Sequence, residues 1–392
     1  MRLASGMGWF AMSALLATTS HATPAVAPLQ PGERPAAAST EAELWYGMDQ
    51  AEKDLRTSPY LVRDPALNNY VRGVACSVAR DYCKDLRLYI VDVPAFNASM
   101  APNGAVLVFT GALLRMRDES ELALVLGHEF AHFQQRHTLQ YWVKAKHTSA
   151  VLATFSLVTY GGGIGLVGGL AQLAGAASLF QFSRQFETQA DHIGFQQATA
   201  LGYDPEAGVR LWSRLLREEK ASKKPKPAPI FASHPKTEER LEDVRAAAAA
   251  MPTSNYHDDH ARYLATTRPF LAHWLDQELS RRTFDTTIEM IGDLRDDAAD
   301  DRLGTLDFYL AEAYRHRGTG DDHAHASELY AEAITRPDAP ADAWRELGLD
   351  LLRSAGKSAA AADALQHYLR LSPHADDRAF IEKYLSELEP LP

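Results

Sequence analysis

Cysteine is nearly absent: Cys76 and Cys83 are the only two in 392 residues. So sparse a supply excludes a disulfide-dense scaffold, and with no histidine beside them the pair cannot form a structural zinc site. An excess of positive charge is missing too. The chain has 40 Lys and Arg against 51 Asp and Glu, a formal charge of −11 at pH 7. That balance disfavours nonspecific attraction to nucleic acid or to an anionic membrane surface. What the chain does have is apolar residues, 46% of the total, enough for a full core and, at this length, two or three domains.

Residues 1–22 read as a secretory signal. Arg2 supplies the positive start, Gly8 to Ala17 an apolar stretch too short to span a bilayer comfortably, and Ser20-His21-Ala22 a small-x-small cleavage pattern, with Ala25-Val26-Ala27 as a second site. No cysteine follows the segment, which argues against a lipoprotein anchor. Export would place Cys76 and Cys83 in an oxidising compartment, close enough in sequence to bridge across a helix end; two reduced thiols are the other reading.

Residues 23–40, rich in Pro and Ala, read as a flexible leader. Helical periodicity starts near Glu41 and returns from Leu67 to Ala79. Leu86 to Val93 alternates and is β-branched, and the apolar run Ala105 to Thr110 follows the turn signal Pro102-Asn103-Gly104, so the two read as strands joined by a turn. Asp118 followed by Glu121 resembles a capping box at the start of a helix that runs through Leu122, Val125, Leu126 and Phe133. Thr148 to Gln181 holds no charge, and its central glycines predict an apolar hairpin over 149–181, packed on the domain or dipping into a membrane surface, rather than one span. Residues 218–229 read as a charged, Pro-rich loop, and a helix from Thr237 to Ala250 closes a domain over 41–255. Beyond it, residues 261–392 are helical in pattern with an offset of 34 to 36 residues: Leu310 with Trp344, Tyr330 with Leu365, Ile334 with Leu369, Pro337 with Pro373. This is tetratricopeptide-like spacing, and the small residues Ala326, Ala333 and Ala364 suit close helix contacts. An irregular helical bundle is the other reading.

The chemistry centres on His128-Glu129-Phe130-Ala131-His132. Two histidines four residues apart face one side of a helix and can share a zinc ion, and the glutamate between them faces the attacking water. A third ligand must come from elsewhere. Gln135 and Thr138 occupy the positions where a metzincin places its Gly and third His, and His137 is one residue out of register. Glu187 and Asp191, four apart on a second expected helix, are the better candidates. Glu187 would bind zinc, and Asp191 would accept the free N–H of a ligand histidine or help proton transfer. Glu129 would then take a proton from water attacking a carbonyl and pass it to the leaving amine, which is peptide-bond hydrolysis.

Asn97-Ala98, Pro102-Asn103-Gly104, GHEFAH with Arg136-His137, the ETQAD-x-x-G run from Glu187 to Gly194, Ser233-His234-Pro235 and Glu239-Arg240-Leu241 together resemble the HtpX and CAAX-prenyl-protease family of gluzincins, over roughly residues 41 to 250. The resemblance implies a mainly α fold: an α+β catalytic domain of gluzincin type with a small β-sheet, followed here by the tetratricopeptide-like helices. It implies one zinc ion per chain on His128, His132 and Glu187, with Glu129 as catalytic base and Asp191 in the position often assigned as proton donor. His234 would approach the metal, either steadying the transition state or capping the zinc in a closed form, with Arg240 nearby. The strand Ala105 to Thr110 would be an edge onto which an extended substrate adds; a plain interior strand is the alternative. His192 departs from the Arg that many relatives carry after the Ala-Asp pair.

With an export signal before it and repeats after it, the chain is similar to envelope members of that family. That likeness implies a periplasmic protease for misfolded or stalled outer-membrane proteins, working near the β-barrel assembly machinery, with peripheral membrane contact through 149–181 and no nucleic-acid partner. Two alternatives stay open: a latent protease acting mainly as a repeat-based chaperone or adaptor, and an integral membrane protease.

Overall fold

The computed structural model describes residues 26–145, 182–222, 238–252, 254–257, 260–298, 300–353 and 358–388. The expected signal, the 149–181 hairpin, positions 223–229 of the charged loop, and His234 lie outside the described residues. The chain is mainly α-helical, with one small sheet.

Helix α1 (Thr40–Arg56) starts where the Ser39 hydroxyl accepts the Ala42 N–H, and α2 (Pro65–Ala79) where Asp64 Oδ1 accepts the Leu67 N–H at 2.8 Å with Pro65 in the first turn. Cys76 and Cys83 are bonded to each other, tying the last turn of α2 to the 3₁₀ turn Arg80–Asp85. Strands β1 (Arg87–Val91), β2 (Ala98–Met100) and β3 (Ala105–Phe109) form a sheet in the order β1-β3-β2, with β1 parallel and β2 antiparallel to β3. The expected substrate edge is therefore misplaced. Residues 105–109 are the central strand and all are buried, and among the described residues β2 is an edge strand of the sheet. Gly104 is obligatory in the turn before β3: its φ is +89°, and a Cβ there would lie 2.2 Å from the Asp85 carbonyl oxygen.

Glu52 fastens α1 to this sheet. Arg87 grips it with two hydrogen bonds of 2.6 Å, and Tyr89 Oη and Arg56 donate at 2.6 and 2.7 Å. Burial alone would raise the Glu52 carboxyl, but these donors outweigh it and hold the pKa at about 2. A depressed pKa stabilises the fold fully above the unfolded-state value of roughly 4.3, and the contribution is lost as pH falls toward the folded value. The stability difference between wild type and Glu52→Gln should accordingly be constant above about pH 5 and shrink toward nothing near pH 2. Urea melts across that window check it.

The leader is not a free linker from residue 26 on. Leu29 is buried, its N–H donates to Gln134 O at 2.8 Å and its carbonyl accepts from Tyr82 Oη at 2.6 Å. Gly32 N–H donates to Asp85 Oδ2, and Arg136 pairs with Glu33. Composition favoured a linker; one buried leucine and two charged contacts hold it down instead.

After the sheet come α3 (Thr110–Arg115), α4 (Glu119–Gln134), α5 (His137–Ala145), α6 (Arg184–Thr199), α7 (Glu206–Ala221) and α8 (Glu238–Ala249). Helix α7 runs into the expected 218–229 loop, and Glu218 is a buried partner of Arg115 rather than a solvated charge. Nor does the core stop at residue 255. Helices α9 (His260–Thr267), α10 (Leu271–Ser280) and α11 (Phe284–Asp296) bring Tyr263, Trp274, Leu275 and Met290 into the same apolar cluster as Leu122, Leu126 and Leu211. Two helix hairpins follow, α12 (Asp300–Arg317) with α13 (Asp322–Ala333), then α14 (Ala341–Arg353) with α15 (Ser358–Leu371), before α16 (Arg378–Leu388). Leu310 with Trp344 and Tyr330 with Leu365 fall on corresponding helices of the two hairpins, Pro337 and Pro373 fall in the turns after them, and Ala326, Ala333 and Ala364 are buried. No helix among the described residues is long and apolar enough to cross a membrane.

Candidate metal centre

Asp118 caps α4, its Oδ1 accepting the Glu121 N–H at 2.8 Å, while Glu121 Oε2 reaches back to the N–H of Arg117. The helix thus starts at a fixed point, and ten residues later it delivers His128. Helix α6 crosses it at Gly127 and Gly194. A Cβ on Gly194 would lie 2.8 Å from the His128 nitrogen and 2.9 Å from the Gly127 carbonyl carbon, so the backbones approach to a distance only glycine permits. Gly194→Ala should push the helices apart, at about 1–3 kcal/mol of stability, and weaken metal binding. Thermal melts and chelator competition would both have to stay at wild-type values to refute this.

That crossing brings Glu187 on α6 against the histidines of α4. His132 Nε2 is 3.4 Å from Glu187 Oε1, His128 Nε2 is 3.6 Å from Glu187 Oε2, and the two Nε2 atoms are 3.0 Å apart. One ligand atom from each residue lies within 4.8 Å of the others, and these are the donors among the described residues that could hold a metal ion. Two imidazole nitrogens and one carboxylate oxygen leave a fourth position open, the donor set of a catalytic zinc site, so the residues present fit such an ion.

The other face of each histidine is occupied. His128 Nδ1–H donates to Asp191 Oδ1 at 2.8 Å, which leaves Nε2 unprotonated and aimed at the shared point. Asp191 is buried; desolvation works to raise its pKa, but Arg240 and His128 outweigh this and hold it below the ordinary aspartate range. Arg240, on α8, donates to Glu187 and, at 3.0 Å, to Asp191 Oδ1, and its guanidinium sits 5.0 Å over the Trp212 ring. One buried cation thus compensates two buried carboxylates. Glu129 is 3% exposed and lines, with His128, an apolar recess also lined by Phe96, Leu124, Phe195, Leu211 and Leu215.

Of the sequence-selected residues, His128, Glu129, His132, Glu187, Asp191 and Arg240 are brought together here; His234 lies outside the described residues. Two residues near the His-His-Glu cluster were not selected for a role. His137 is fully buried, with Nδ1 2.9 Å from His132 Nδ1 and Nε2 3.1 Å from Gln189 Oε1. Burial pushes its pKa down to about 4, so the ring is neutral at pH 7. Its register, five residues past His132, places it on no common helix face. Arg136, at φ +54° and paired with Glu33 and Glu41, reverses the chain between α4 and α5 and folds His137 back beneath the site.

Comparison with known proteins agrees with this geometry. Residues 62–248 match Peptidase family M48. The β-barrel assembly-enhancing protease of Escherichia coli is 30% identical over 237 residues, 56% of this chain and 47% of that protein. The mitochondrial metalloendopeptidase OMA1 of Schizosaccharomyces pombe is 35% identical over 159 residues, 40% of this chain and 45% of that protein. The chain spans about half the length of the curated relatives it matches. The matched segment contains the whole His-His-Glu cluster fit for a metal, and over that segment this chain is similar to Peptidase family M48.

Proposed function

We propose that the protein is a zinc-dependent endopeptidase of the periplasm that cleaves misfolded or stalled outer-membrane proteins. The observation that carries the reading is the convergence of His128, His132 and Glu187 beside a buried Glu129. A zinc ion held by those three residues would supply Lewis acidity to a water and to the scissile carbonyl. Glu129 takes the proton from that water and returns it to the leaving amine. Asp191 orients His128, and Arg240 lies close enough to His128, at 3.5 Å from Nε2, to steady negative charge developing on the carbonyl oxygen. For His234 the family resemblance implies one of two roles, steadying the transition state or capping the zinc in a closed form.

Substrate adds in extended form along β2, so that backbone hydrogen bonds supply affinity without reading sequence. The apolar recess beside Glu129 takes a substrate side chain next to the scissile bond. The relatives named for β-barrel assembly support an outer-membrane clientele, and the helix hairpins of residues 300–371 would bind such clients or the assembly machinery itself. The test is metal analysis of purified protein together with cleavage of casein and of an unfolded β-barrel protein. About one zinc per chain and full inhibition by chelator are expected; cleavage that survives chelation would refute the reading.

A further inference from the structure

We infer that His137 is a positioning residue: through a directional relay ending on Gln189, it holds His132 in the one tautomer able to bind metal. This rests on the metal reading above and goes beyond it. His132 presents Nε2 to Glu187 and His128, so Nε2 must be free of hydrogen and Nδ1 must carry it. Nδ1 faces His137 Nδ1 at 2.9 Å. Two ring nitrogens at that distance share one proton, so His137 Nδ1 accepts, and the proton of the His137 ring sits on Nε2. That nitrogen is 3.1 Å from Gln189 Oε1, an oxygen that can only accept. The Gln189 amide is turned this way because its Nε2 donates to Gln135 Oε1 at 3.3 Å.

The chain of donors therefore runs one way, from His132 to His137 to Gln189. The reverse order would put the His132 proton on the nitrogen the metal needs. The His137 ring has no freedom to turn: it stacks on Phe186 at 4.2 Å and 11° and is fully buried. The two candidate ligand histidines are thus oriented by different means, His128 by a carboxylate and His132 by a second imidazole. Gln189 sits two residues beyond Glu187 on α6, so the relay also ties the two ligand-bearing helices together.

The experiment measures zinc affinity by competition with a chromophoric chelator for wild type, His137→Phe and His137→Asn. Phe keeps the stack on Phe186 and removes the acceptor; Asn places an oxygen near the position of ring Nδ1. A 10- to 100-fold loss of affinity is expected for His137→Phe, the usual effect of removing such a partner, with Asn recovering most of it. Wild-type affinity in His137→Phe, or Asn as weak as Phe, overturns the inference. Failure of the wild type to bind zinc would instead refute the proposed function. Should His137→Phe not fold, nitrogen-15 spectra of the metal-free wild type decide: a proton on His132 Nδ1 supports the relay, and one on Nε2 overturns it.

Discussion

Glu129→Gln lowers the cleavage of an unfolded substrate by about a thousandfold, the middle of the range for loss of a general base, and leaves zinc content unchanged. Glutamine keeps the shape and one acceptor oxygen of the side chain but cannot hold the transferred proton, so binding survives and chemistry does not. Glu129 lies between the ligand histidines on α4 yet is not one of the three donors that converge, which is why metal retention is expected. Glu187→Ala supplies the contrast, because it removes a ligand and should lose both zinc and activity. Casein hydrolysis and metal analysis on the same preparations separate the two roles. Undiminished activity in Glu129→Gln would sink the mechanism, and loss of its zinc would reassign Glu129 to the metal.

The residues of this site were legible where their relation is local. His128 with His132 and Glu187 with Asp191 are each four apart on one helix, and Asp118 with Glu121 marks a helix start through the three-residue reach of a cap. The small sheet and the largely helical chain were legible for the same reason. Relations set by chain reversal or by tertiary pairing were not. Strand order depends on which strands meet, and Ala105 to Phe109 shows no alternation to separate centre from edge because both its faces are buried. His137 reaches His132 only through the left-handed turn at Arg136, which no spacing rule anticipates. Glu218 read as a solvated charge because its partner Arg115 is 103 positions away.

That last pair sits where the catalytic and helical halves meet, and Arg115→Met should destabilise the protein by roughly 3–5 kcal/mol, the usual cost of leaving buried charge unpaired. Arg115 is almost fully buried at the end of α3. Its Nε lies 2.7 Å from Glu218 Oε2 on α7, and its Nη2 lies 3.1 Å from Glu278 Oε1 on α10. Glu278, at 0% exposure, keeps Arg281 as a second partner at 2.7 Å, whereas burial already raises the Glu218 pKa against the pull of Arg115. Removing the guanidinium therefore leaves Glu218 the worse placed of the two. The loss should appear as a lower midpoint in urea for the whole chain, because one apolar cluster crosses the junction and the halves should not melt separately. Replacing all three residues, Arg115→Met with Glu218→Leu and Glu278→Leu, removes the stranded charges and should recover most of the stability. A single variant as stable as wild type would show that the carboxylates find other partners. Two separate transitions would show that the junction does not couple the halves.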